Sequence, residues 1–385
     1  MHLVAEPPTY VVPQPRRGRR YGILSTYPPT LCGLATFSAA LARGLEANGA
    51  SVGVVQIADG SLSSDPRIVT RLYNGVPSSL ANAISALNEH DAVFIQHEYG
   101  LYGGADGEEI LEILAGLRVP TIVVAHTVLL QPTKHQRAVL EAIAELASAL
   151  VVMADTARQR LFGVFGVDAA KVVMIRHGAA VPSPRARPDH PARPVLLTWG
   201  LLGPGKGVEW AIDAIADLKD LWPRPRYVVA GRTHPKVFSS EGEAYRNMLV
   251  RRTWEKGVAG SVTFDATYRD VGSLTQSVQD ASVIVLPYDS HDQVTSGVLV
   301  DAIAAGRPVV ATAFPHAVEL LASGAGIVVP HQDGMALSAA LRRVLTEPGL
   351  AESMGQEAAR LAPMFAWRAV ASEYAELAES VLVGV

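Results

Sequence analysis

The sequence predicts an α/β protein built on two doubly wound parallel sheets. Short runs rich in Val and Ile, apolar throughout, recur along the chain, as strands buried on both faces do. Helix-like stretches separate them. The alternation happens twice, with a proline-rich segment between the halves.

In the first half the apolar runs are Tyr21–Leu24, Ser51–Ile57, Asp91–Ile95, Thr121–Ala125, Ala149–Met153 and Val172–Ile175. In the second they are Val195–Thr198, Tyr227–Ala230, Ser261–Phe264, Ser282–Leu286, Pro308–Ala311 and Gly326–Val329. The helical stretches between them include Ala35–Ala47, Thr133–Ser148, Glu209–Lys219 and Ser296–Ala305. Pro182–Pro194 holds five prolines and four charged residues. Proline lacks an amide donor and fixes its own φ, so this segment reads as a linker. The expected division is a disordered tail over 1–20, a first domain over 21–182, a linker over 183–194, a second domain over 195–364, and an amphipathic helix from 365 to 385.

The chain has 385 residues, 49% apolar and 18% charged, with a formal charge of −4. That length suits two domains. The charge offers no general attraction to nucleic acid. One basic cluster, Arg16, Arg17, Arg19 and Arg20, lies in a proline-rich stretch. It reads as a solvated tail, with weak attraction to anionic lipid or substrate as the alternative. Cys32 is the one cysteine, so no intrachain disulfide forms, which fits a reducing cytoplasm. The N-terminus lacks a signal-peptide pattern, and no apolar run reaches the roughly 20 residues of a membrane span.

In open parallel sheets, ligands bind beyond the carboxyl ends of the strands. Residues just after each apolar run are therefore the candidates. Gly33 opens a helix after the first run, where helix amides favour an anion; simple turn geometry is the commoner reason for a glycine there. Gly200–Gly207 follows the run Val195–Thr198 and carries Lys206. It approaches P-loop spacing, but Gly207 stands where a P-loop needs the magnesium-binding hydroxyl. What remains is a glycine turn that presents Lys206 to a phosphate, or a surface lysine. Ser296 and Gly297 open a helix whose amides suit an oxyanion. Asp301 follows one turn later, placed to bind sugar hydroxyls or to pair within the protein. His97, with Glu98, and His126 each end a run. Neither histidine belongs to a zinc motif. Asp289, His291 and Asp292 share one loop, which suits a cation or an ordinary turn.

These pieces, in this order, resemble the retaining glycosyltransferases of family 4. The resemblance runs from about Tyr21 to the last helix and implies the GT-B fold, two facing Rossmann-like domains with an interdomain cleft. The family has two glutamates eight positions apart where this chain has Gln293 and Asp301, and an arginine where it has Leu201. The resemblance implies that Lys206 and Gly33 contact the donor diphosphate, that Asp301 binds ribose, and that Gln293 and His126 face the transferred sugar. Arg232 is a candidate for the charge missing at Leu201. Gly231–Pro235, Gly242–Arg246 and Ser296–Leu299 look like a bacterial subgroup associated with mannose transfer.

The expected activity is therefore transfer of a sugar from a GDP- or UDP-sugar to an acceptor hydroxyl, with no metal and no cofactor. The acceptor class is open: a glycan, a lipid or a small molecule, met on the side of His97 and Glu98. The rivals are a sugar-nucleotide epimerase or hydrolase on the same scaffold, and a non-catalytic nucleotide-sugar binder.

Overall fold

The computed structural model describes residues 18–61, 63–183, 193–267 and 269–383. The first sheet contains β1 (Arg20–Ser25), β2 (Ser51–Ile57), β3 (Ile68–Leu72), β4 (Ala92–His97), β5 (Thr121–Ala125), β6 (Ala149–Val152) and β7 (Val172–Met174). Its order is β3-β2-β1-β4-β5-β6-β7. The second contains β8 (Val195–Trp199), β9 (Arg226–Ala230), β10 (Val262–Asp265), β11 (Val283–Leu286), β12 (Val309–Thr312) and β13 (Gly326–Val329). Its order is β10-β9-β8-β11-β12-β13, with every neighbouring pair parallel.

All twelve expected runs are strands. The thirteenth, β3, escaped the sequence reading. It lies at a sheet edge, its register with β2 shifts between Val54 and Val55, and Val69 is half exposed. Ile68–Leu72 includes Thr70 and Arg71, so it lacks the unbroken apolar signature of a strand covered on both faces. In the second sheet alternate residues pack on opposite faces. Leu197, Ile284, Leu286, Val309 and Ala311 join one apolar cluster; Leu196, Val229, Val283, Val285 and Val310 join the other.

Contacts divide the described chain into two compact units. One takes residues up to Val124, Ala138–Leu150 and the residues from Trp367 onward; the other takes Ala125–Arg137 and Val151–Ala366. In the first unit, the helix Trp367–Val383 lies against the helix Gly33–Ala47. A Cβ on Gly44 would meet the Ala371 Cβ at 2.7 Å and the Trp367 carbonyl oxygen at 2.8 Å, so the two backbones are nearly in contact. Phe37 meets Trp367 edge to face at 5.0 Å, and buried Tyr374 meets Phe94 at 5.6 Å.

Arg19 and Arg20 belong to this unit rather than to a tail. Arg20 opens β1, and Arg19 donates through Nε and Nη2 to the Glu379 carboxylate at 2.7 and 3.0 Å. A partner supplied 360 positions later could not be read locally. Residues 1–17, with Arg16 and Arg17, lie outside the described residues, as do residues 184–192 of the expected linker. No helix among the described residues is long and apolar enough to cross a membrane.

Candidate functional site

Both sheets reverse their strand order beside their first strand, between β1 and β4 and between β8 and β11. The carboxyl ends at such a reversal are splayed apart and leave a crevice. In the second unit, two loops flank it. The glycine turn follows β8, and the segment Tyr288–Ser296 follows β11. A cavity of about 300 Å³ lies between them, lined by Pro204, Gly205, Lys206, Asp289, Ser290 and Gln293. Lys206 and Gln293, 87 positions apart in sequence, thus share one pocket.

The turn is held from both sides. The Gly200 amide donates to the Ala230 carbonyl at 3.0 Å, Leu202 donates to the Arg232 carbonyl at 2.8 Å, and Asp289 donates to the Gly205 carbonyl at 2.9 Å. Gly207 has φ +62° and caps the helix Val208–Ala216. A Cβ there would overlap the Pro287 carbonyl oxygen. The position that departs from the P-loop pattern therefore needs glycine for both backbone shape and space.

Half-buried Lys206 places its Nζ 4.4 Å from the centre of the Tyr288 ring. Among the described residues no carboxylate pairs with it. Burial pulls its ammonium below the ordinary lysine range. A cation held over an aromatic face without a counter-ion is a ready partner for a phosphate. His234 lies near enough for Lys206 to help lower its imidazole, after burial and Lys236. Arg232 follows β9 in the strand-end loop that braces the glycine turn, with its side chain exposed.

Ser296 caps the helix Gly297–Ala304, its hydroxyl accepting from the Leu299 amide at 3.3 Å. The Ser296 amide donates to Nδ1 of buried His316 at 2.9 Å, and the His316 amide donates to the Gln293 carbonyl at 3.3 Å. His316 thus ties down both ends of Gln293–Ser296. The start of this helix is less open than the sequence implied. A Cβ on Gly297 would stand 3.0 Å from the His177 ring, which covers that side of the glycine. Burial holds His177 down at about 4 and His316 at about 3, the latter also lowered by His177. Both rings are neutral at pH 7. The half-buried Asp301 carboxylate has no hydrogen bond or ion pair among the described residues, and burial lifts it to about 7. The internal partner that would have explained it as structural is absent there.

In the first unit, Gly33 is the exposed first residue of its helix, and a Cβ there would meet nothing within 4 Å. The Cys32 sulfur accepts from the Ala35 amide at 3.4 Å. His97 ends β4 fully buried, edge to face with Tyr99 at 5.2 Å, and neither ring nitrogen has a hydrogen-bond partner among the described residues. Burial lowers it to about 4. Glu98 follows it, half-buried. His126 is the residue after β5, half-buried, and falls in the second unit.

The loop that suited a cation has other partners. The Trp210 indole donates to both Asp289 oxygens at 3.1 and 3.2 Å, and Asp292 is 3.0 Å from Arg160. No group of three His, Cys, Asp or Glu suited to a metal occurs among the described residues. His316 and Arg160 were missed in the sequence. His316 follows β12 by four positions, so the same strand-end rule reaches it; Arg160 lies inside a helix and nothing local marks it.

With this geometry in place, similarity to known proteins can be set beside it. Residues 184–361 match the family model for glycosyl transferases group 1. The chain is 30% identical over 256 residues to a D-inositol 3-phosphate glycosyltransferase of Kineococcus radiotolerans, covering 61% of this chain and 58% of that one. A protein of the same name from Streptomyces coelicolor is 32% identical over 208 residues, covering 52% and 44%. The chain therefore spans about half the length of these relatives. Among solved structures, sucrose-phosphate synthase from Thermosynechococcus elongatus aligns over 96% of this chain and 100% of its own, at TM-score 0.77 and 21% identity. Anabaena Alr3699/HepE in complex with UDP aligns over 94% and 100%, at TM-score 0.74 and 18% identity. These likenesses fix the fold as GT-B, with its two parallel sheets.

Proposed function

We propose that the protein is a retaining glycosyltransferase that moves a sugar from a nucleoside-diphosphate sugar to an acceptor hydroxyl. The observation that carries this reading is the pocket shared by Lys206 and Gln293; Ser296, three residues on, caps a helix that carries Asp301, unpaired among the described residues. The matched domain spans all of these residues. As the sugar–phosphate bond breaks, negative charge collects on the leaving diphosphate. Lys206 stabilises it, with the helix amides beside Gly297 and the exposed Arg232 adding to the field; groups fixed in advance lose little in reorganisation. Asp301 accepts from the ribose hydroxyls, and the Gln293 amide bonds the transferred sugar. His126 orients that sugar. In this scheme no resident cofactor or metal takes part, because Lys206 and the backbone amides carry the charge.

HepE binds UDP in its solved complex, which favours a UDP-sugar. The loop and helix-start patterns named above favour mannose, which a GDP-sugar would supply. The name of the curated relatives points to a small phosphorylated polyol as acceptor. The single cysteine suits the reducing cytoplasm where we place the reaction.

A panel of UDP- and GDP-sugars, each with and without acceptors, tests the proposal. Transfer needs an acceptor, whereas an epimerase or hydrolase consumes donor alone. A binder shows a thermal shift without turnover. Lys206→Ala should cut donor turnover by about 100-fold or more, on the scale of losing one preorganised charge-stabilising group. Near-native kinetics would remove Lys206 from the diphosphate site.

A further inference from the structure

We propose that Arg160 is a positioning residue that holds the loop after β5 and the loop after β11 in register, and so sets His126 and Gln293 for the transfer step. The inference rests on the glycosyltransfer reading for its link to catalysis, but not for the clamp itself.

Arg160 lies in the helix Asp155–Gly163 and is 7% exposed. Its Nη1 donates to the Val128 carbonyl at 2.8 Å, the Asp292 carbonyl at 3.2 Å and Asp292 Oδ1 at 3.0 Å. Its Nη2 donates to the His291 carbonyl at 3.3 Å. Asp292 Oδ1 also accepts from the Leu130 amide at 3.2 Å. Each member of the pair therefore touches both loops. Val128 is two residues from His126, and Asp292 is adjacent to Gln293.

The base of the clamp is anchored too. The Glu319 carboxylate accepts from the Asp155 amide at 2.8 Å, the Thr156 amide at 3.1 Å and the Thr156 hydroxyl at 3.2 Å. A carboxylate at a helix N-terminus is well placed for the helix dipole. Glu319 belongs to the helix Pro315–Leu321, which also carries His316, the residue that ties down Gln293–Ser296. Three separate segments thus converge on the geometry of one loop.

The chemistry calls for arginine in particular. A planar fork can serve several acceptors in fixed directions, whereas a lysine ammonium is a point charge on a flexible stem. Arg160→Lys keeps the charge and loosens the register. A misplacement of about 1 Å costs on the order of 100-fold in rate.

The test combines kinetics with hydrogen exchange on the full chain. For Arg160→Lys, kcat for transfer should fall about 10- to 100-fold while the donor KM stays within about 3-fold. Amide exchange should rise together in 126–130 and 289–293. Asp292→Asn, which keeps an acceptor for Leu130 but removes the charge, should show a smaller effect of the same kind and guards against an unfolded lysine variant. The double variant should lose less than the product of the single losses, because the two residues act as one unit. An unchanged kcat, or a rise in exchange confined to one loop, overturns the proposal. If the wild-type protein transfers no sugar from any donor, the glycosyltransfer reading fails. Exchange alone then decides whether the clamp exists.

Discussion

At the scale of single residues, Asp301 shows what a buried carboxyl costs the fold that holds it. Its carboxyl is ordinary when unfolded and is raised to about 7 when folded. Below about pH 4 it is protonated in both states and costs the fold nothing. Between about pH 4 and 7 the unfolded chain releases the proton first, so folding stability falls as the pH rises. Above pH 7 the full penalty is present. Asp301→Asn should therefore raise the melting temperature at pH 8, by about 1–2 kcal/mol of stability once partial solvent contact is allowed for, and leave it nearly unchanged at pH 4. If the carboxylate binds ribose, the wild-type donor KM should fall as pH rises through about 7, and that dependence should vanish in the variant. A stability gain without any change in KM would count Asp301 as a buried charge and nothing more. Lys206 and Asp301 were legible in the sequence because residue type and position after a strand suffice to suspect them. His316 follows β12 and falls under the same rule, but Arg160 was harder, since its partner Asp292 lies 132 positions away. Contacts of that range leave no local pattern.

Among the elements, helix starts decide most. The helix Gly33–Ala47 begins with a glycine that the fold does not need for space. Alanine loses less backbone entropy on folding, so Gly33→Ala should keep or slightly raise the melting temperature, by up to about 1 kcal/mol. If a diphosphate approaches that backbone, the donor KM should rise severalfold at the same time. Stability and KM both unchanged would make Gly33 a simple turn glycine. The helix Gly297–Ala304 presents the opposite case. Its first residue is crowded by His177, and its cap is fixed by Ser296 and His316. The strand periods were plain wherever both faces are covered, as in β4, β5, β11 and β12. They failed at β3, where one edge and part of one face meet solvent and the side chains turn mixed.

For the molecule as a whole, one unit is assembled from pieces far apart in the chain. The helix Trp367–Val383 supplies Tyr374 to the core beside Phe94, seats Ala371 against Gly44, and gives Arg19 its partner Glu379. Removing residues 367–383 should unfold that unit, since exposing Phe37, Phe94 and neighbouring side chains forfeits several kcal/mol of burial. Limited proteolysis should then cut within residues 18–124 while 193–361 stays protected. Full protection of both would show the helix to be an ornament. The return of the chain to its first sheet depends on a glycine-to-alanine contact that composition cannot reveal.

That contact also orders events in time. During synthesis, β1 and the helix packed on it leave the ribosome more than 300 residues before the helix that completes their core. The segment 193–361 emerges in between and holds all the strands of its own sheet. The half that is made first is therefore the half that finishes last, and until then its apolar faces are open to chaperones.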